Sequence, residues 1–185
     1  MPDATPRRSA RRVITGHDAH GRSVLQEDRE SPFVLASAGG RGPFVIDLWK
    51  THASPADNQG GEPCTPEITL APPAQGSVLR IVEFPPDRSY MDGWNPKDTF
   101  EALGHALDAG AKAHPTPGMH QTRSLDYAIV LEGEIWAVMD QGETLLRTGD
   151  VLIQRGTNHG WSNRGEQPAR VAFVLIDAQP LRATA

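Results

Sequence analysis

The chain is dominated by short runs in which apolar and polar positions alternate, each closed by glycine or proline. Phe33-Val-Leu-Ala36, Phe44-Val-Ile-Asp-Leu-Trp49 and Ser77-Val-Leu-Arg-Ile-Val-Glu-Phe84 read as strands in the first half. Asp126–Leu131, Glu134–Asp140, Glu143–Arg147, Val151–Arg155 and Arg170–Ile176 read as strands in the second. The links Glu132-Gly133, Gln141-Gly142 and Thr148-Gly-Asp150 are so tight that the strands they join are expected to pair as antiparallel neighbours, because parallel strands need long crossovers. Thr51–Pro66 and Ala71–Gln75 are polar and turn-rich, hence loops. One helical pattern interrupts this series: Phe100–Lys112 places Leu103 and Leu107 four apart on one side, although Gly104 and Gly110 weaken it. The pattern predicts an all-β, antiparallel barrel or sandwich.

Composition narrows the setting. At 185 residues the chain makes one ordinary domain. A net charge of -5 argues against a broadly basic nucleic-acid binder or a partner of anionic membranes. The 18 glycines and 16 prolines fit a chain with many turns. With one cysteine, Cys64, no disulfide closes within the chain, which points to a reducing cytoplasm. The first twelve residues are positive, but Val13–Arg22 offers no apolar signal core, so residues 1–32 read as a solvated N-terminal arm. No apolar run is long enough to span a membrane.

The candidate chemistry lies in the second half. His120 and Asp126 would stand about 20 Å apart on one straight strand and share no ligand. If Arg123-Ser-Leu125 makes a turn instead, His120 and Asp126 come together, with Thr122 on the same face as His120. His159 follows a turn at Gly156-Thr-Asn158, and Trp161 shares its parity. Two imidazoles and one carboxylate on neighbouring strands are a credible donor set for Fe(II), Mn(II), Ni(II) or Zn(II) that leaves coordination positions open. His114, before Pro115, is a candidate proton carrier at neutral pH. Trp161 offers an aromatic wall, and Arg123 a bidentate partner for a carboxylate.

These residues carry a specific resemblance. His114-Pro-Thr-Pro-Gly-Met-His120-Gln-Thr122-Arg-Ser-Leu-Asp126, closed by Gly133, and Gly149-Asp-Val-Leu-Ile-Gln154-Arg-Gly156-Thr-Asn-His159-Gly-Trp-Ser-Asn163 resemble the two motifs of the cupin superfamily. His120 and His159 fall on ligand histidines and Asp126 on the ligand glutamate, whereas Thr122 stands where the family has its second histidine and Gln154 replaces a proline. The resemblance implies an antiparallel jelly-roll β-barrel over residues 33–178, with an N-terminal extension, an inserted loop or short helix at about 85–118 and a tail at 179–185. It implies a homodimer acting on a small molecule, with no nucleic acid or membrane partner. A divalent metal ion (Fe, Mn, Ni or Zn), or none, would be held by His120, Asp126 and His159. His114, Thr122 and Asp126 would be catalytic, and Thr122, Arg123 and Trp161 would contact substrate. The expected function is a metal-dependent lyase or isomerase that decarboxylates, dehydrates or isomerises a small organic acid or carbonyl compound. The alternatives are an Fe(II) dioxygenase, a metal-free dehydratase or epimerase, and a non-catalytic metabolite-binding cupin. Fold membership alone does not choose among these.

Overall fold

The computed structural model describes residue 7 and residues 9–105 and 116–181. In chain order the strands are β1 (Arg11–His17), β2 (Ser23–Glu30), β3 (Val34–Ala36), β4 (Phe44–Thr51) and β5 (Ser77–Phe84), followed by one short helix, α1 (Pro96–Ala102). Then come β6 (Ser124–Glu132), β7 (Glu134–Met139), β8 (Glu143–Arg147), β9 (Val151–Arg155), β10 (His159–Ser162) and β11 (Ala169–Asp177). All the strand pairings are antiparallel. No helix among the described residues is long and apolar enough to cross a membrane.

The strands form a six-stranded sheet ordered β3-β4-β5-β11-β6-β9, a three-stranded sheet ordered β10-β7-β8 and a β1-β2 hairpin. This is a cupin-like arrangement, but the expected closed barrel does not form: neither large sheet closes on itself. The core fills the space between them. Val78, Val82 and Phe84 of β5, Ala128 and Val130 of β6, and Val171, Phe173 and Leu175 of β11 meet Ile135 and Ala137 of β7 and Leu146 of β8.

Two of the tight links are not hairpins. β6 is joined to β7 through Gly133, yet β6 pairs with β11 and β9, while β7 pairs with β10 and β8. The link from β8 to β9 also changes sheets, and only Gln141-Gly142 joins paired neighbours. Each change of sheet lets both flanking strands turn an apolar face to the same core from opposite sides, which a hairpin within one sheet cannot do. Gly133 permits the corner. Its φ is 74°, and a Cβ there would lie 2.8 Å from the carbonyl oxygen of Pro168. We expect Gly133→Ala to cost at least about 2 kcal/mol, because strain at positive φ adds to a backbone clash. A thermal midpoint within a degree of the parent's would show that the corner tolerates a side chain.

The helix also departs from expectation. It begins at Pro96 rather than Phe100, because the Asn95 side chain accepts a hydrogen bond from the Lys97 amide and Pro96 sits in the first turn. It ends at Ala102, and Gly104 adopts a φ of 64°. Residues 106–112 of the expected helix lie outside the described residues.

The N-terminal hairpin is anchored rather than free. Ala10 packs with Phe44 and Ile46 on the outer side of the six-stranded sheet. The buried Arg12 guanidinium binds Glu27, Glu62 and the Leu48 carbonyl.

Candidate functional site

A cavity of about 120 Å³ opens between the two sheets and the segment carrying α1. Its walls are mostly aromatic and aliphatic, with Phe84, Tyr90, Trp94, Phe100, Trp161 and Phe173 prominent. The polar residues that reach it are Arg80, Thr122, Asp126, Gln154, His120 and His159, with Thr99 on the rim formed by α1.

His120 and His159 are brought together by an isolated antiparallel bridge, in which each backbone amide donates to the other residue's carbonyl at 2.8 and 2.9 Å. Their ring centroids are 4.4 Å apart. His120 Nδ1 lies 2.9 Å from the Gly118 carbonyl oxygen and His159 Nδ1 lies 3.0 Å from that of Thr157. A carbonyl only accepts, so both Nδ1 atoms carry the proton and both Nε2 atoms keep a lone pair. Burial, then the neighbouring His159 ring, pushes His120 down to about 3 against the opposing bond to Gly118. Burial also lowers His159. Both imidazoles are therefore neutral at pH 7. The loop that fixes His120 is itself packed: a Cβ on Gly118, whose φ is 78°, would lie 2.8 Å from the Trp94 ring.

Asp126 faces the cavity from β6 on the same side as Thr122 and Ser124, whose hydroxyls are 2.9 Å apart. Burial raises its carboxyl to about 6, opposed by Ser124, by the cation of Arg80 and by Thr122. Asp126 is 4% exposed, and its Oδ1 is shut off from solvent with no hydrogen bond of good geometry among the described residues. The chain reaches this point through a bend at Arg123 that leads directly into β6, not through a separate turn between strands.

Of the other residues singled out from sequence, Trp161 lines the cavity and packs against His159, Phe84 and Phe173. Arg123 is exposed and borders a different surface depression, with Asp177 and Gln179. His114 lies outside the described residues. Sequence reasoning missed Arg80, although it shares parity with Val78, Val82 and Phe84 and all four are buried. It also missed Tyr90 and Phe100, which come from a segment without strand periodicity.

Whether these side chains suit a resident metal depends on the donor set. The two Nε2 lone pairs fit, but among the described residues no three His, Cys, Asp or Glu side chains are grouped to hold an ion. Two imidazoles alone fall short of the three or four protein donors usual for iron, manganese, nickel or zinc. The described residues therefore do not form the expected His120, Asp126 and His159 metal centre.

The two antiparallel sheets thus enclose a cavity lined by a pair of histidines. Residues 106–176 match the family model described as a cupin domain. Over 182 residues the chain is 36% identical to Phomopsin biosynthesis cluster protein C' of Diaporthe leptostromiformis, covering 94% of this chain and 82% of that one. It is 30% identical to the cupin-domain-containing oxidoreductase virC of Hypocrea virens, covering 92% and 77%. Among solved structures, the cupin domain of an XRE family transcriptional regulator from Enterobacter cloacae matches with a TM-score of 0.40 at 13% identity, covering 76% of this chain and all of that one. The chain belongs to the cupin family.

Cupin membership is consistent with metal binding in general. The lyase or isomerase expectation is overturned: several relatives carry the name cupin-domain-containing oxidoreductase, and no three-donor metal group is found among the described residues.

Proposed function

We propose that the protein is a dioxygen-dependent oxidoreductase acting on a small, ring-bearing organic molecule held in the aromatic cavity. The observation that carries this reading is the pair of neutral imidazoles whose free Nε2 atoms adjoin an apolar cavity of about the volume of one ring. The names of the relatives support the redox class and, through the phomopsin biosynthesis relative, a biosynthetic setting. An unprotonated Nε2 accepts a hydrogen bond from a substrate hydroxyl, which leaves the ring more electron-rich and readier to give up electrons. Loss of two electrons and two protons from the substrate reduces dioxygen to hydrogen peroxide; in a dioxygenase outcome both oxygen atoms enter the product. The aromatic walls keep bulk water from the ring and orient it.

Oxygen uptake with methylhydroquinone and related phenols, followed by peroxide assay and product mass, tests the reading with and without added Fe(II). We expect protein-dependent uptake that falls about tenfold or more in His120→Ala and His159→Ala, the scale of a lost hydrogen bond to the substrate. Unchanged uptake in both variants places turnover elsewhere and sinks the reading. A second reading, a metabolite-binding cupin without turnover, draws on the largely apolar walls of the cavity. Saturable binding of these phenols with no oxygen uptake under any metal condition would select it.

A further inference from the structure

We infer that the Trp94 indole is the partition that confines the ligand to a single small ring, by closing the aromatic cavity off from a second hollow. The inference rests on the reading of the cavity as the substrate site and specifies the size of ligand it takes. The second hollow, of about 280 Å³, lies between residues 35–41 and the segment carrying α1. Leu35, Ala36, Ala38 and Ala102 give it aliphatic surface. Among the described residues, Trp94 and Thr99 alone line both this hollow and the cavity that holds the histidine pair. Two side chains thus stand between the two spaces.

The indole is held from three directions. Its Nε1 donates to Thr99 Oγ1 at 2.8 Å, which ties it to α1. The Tyr90 ring packs edge to face against it, with centroids 5.4 Å apart. Its six-membered ring abuts Gly118, the residue whose carbonyl oxygen fixes His120 Nδ1, so closely that a Cβ there would lie 2.8 Å away. A ligand group that took the indole's place would have to break the bond to Thr99 and forfeit the ring contact. The consequence is a limit on length. A cavity of about 120 Å³ is filled by one ring, and beyond that each CH2 buried in the second hollow would tighten binding about fourfold. The partition withholds that gain, so an alkyl substituent on the ring adds no affinity.

The test is a protein-observed NMR titration of the full chain with phenol, 2-butylphenol and 4-butylphenol, read as ratios of dissociation constants within each protein so that a general weakening cancels. In the parent neither butylphenol should bind tighter than phenol, although four freely buried CH2 groups would give about a hundredfold or more. In Trp94→Ala at least one butylphenol should overtake phenol by about tenfold or more and perturb resonances of residues 35–41. Trp94→Leu should change the ratio in the same direction by less, and guards against a folding defect in the alanine variant. Adding Ala102→Phe to Trp94→Ala puts bulk into the second hollow and should abolish the gain. A butylphenol that binds tighter than phenol in the parent overturns the inference while leaving the cavity as a binding site. Ratios unchanged in both Trp94 variants place the limit in another wall and overturn it as well. A gain in Trp94→Ala that survives Ala102→Phe sends the chain elsewhere and rejects the partition. If phenol itself perturbs no cavity resonance in the parent, the inference and the substrate-site reading fail together.

Discussion

Replacing Asp47 by asparagine should lower unfolding stability by about 3–5 kcal/mol, a large part of the roughly 5–15 kcal/mol available to an ordinary domain. Asp47 sits on β4 with 0% exposure. Its carboxylate neutralises two buried cations at once: Arg80 Nε lies 3.0 Å from Oδ1, and Lys50 Nζ lies 3.2 Å from Oδ2. Removing the negative charge leaves a guanidinium and an ammonium side by side in the interior, and neither can reach water without disturbing the sheet. Urea denaturation with an unchanged slope and a lower midpoint would report this directly. Replacing all three residues by apolar side chains of similar volume should recover much of the loss, since the cost lies in uncompensated charge rather than in missing attraction. A loss below about 1 kcal/mol in Asp47→Asn alone would mean that the pair of cations is solvated after all.

The second large effect is an acid dependence set by the cavity, measured on chelator-treated protein. His120 and His159 hold pKa values below those of an unfolded chain, so below about pH 6.5 the unfolded state binds more protons and stability falls as pH falls. For His120 that fall continues towards pH 3. Asp126 acts in the opposite sense. Its carboxyl is raised to about 6, so between about 6 and 4 the folded state holds a proton that the unfolded chain has released, and acidification adds stability there. A fully engaged group changes the folding constant about tenfold per pH unit, so Asp126 offsets His120 in that window and the remaining loss is the part set by His159. Asp126→Asn removes the offset and should steepen the loss by about tenfold per unit. His120→Asn should flatten it. Surface carboxylates contribute equally to all three proteins, so the differences between their curves isolate the cavity. Parallel curves for parent and both variants would contradict the burial argument.

The sequence made the strands legible where one face alternates. Ser77–Phe84, Glu143–Arg147 and Val151–Arg155 fall where periodicity places them. His159 and Trp161, which share parity, both line the cavity, as do Thr122 and Asp126. The hairpin of β1 and β2 was hidden, because both strands are highly charged and β2 buries almost nothing. They are held by backbone pairing and by ion pairs such as Arg11 with Asp28. A corner between sheets was also hidden at Gly133, since a glycine at positive φ serves a hairpin and a change of sheet equally well. At the site, the buried Arg80 was readable from its place among Val78, Val82 and Phe84, a signal that an isolated charge in an apolar register always offers. Tyr90 and Phe100 carried no such signal, because only tertiary packing brings their irregular segment over the cavity. The reaction class was not in the residues at all. Two histidines and an aspartate are compatible with several chemistries, and it was the named relatives that displaced the lyase reading.

The bridge between His120 and His159 is made by main-chain atoms, whereas the chemistry assigned to the same two residues belongs to their rings. Architecture and reactivity thus coincide in sequence position but reside in different atoms. Most side-chain replacements at either position can silence the imidazole and leave the clasp between the strands closed. Proline is the exception: it withdraws the amide, opens the clasp and separates the partner ring from the cavity without altering that ring's chemistry.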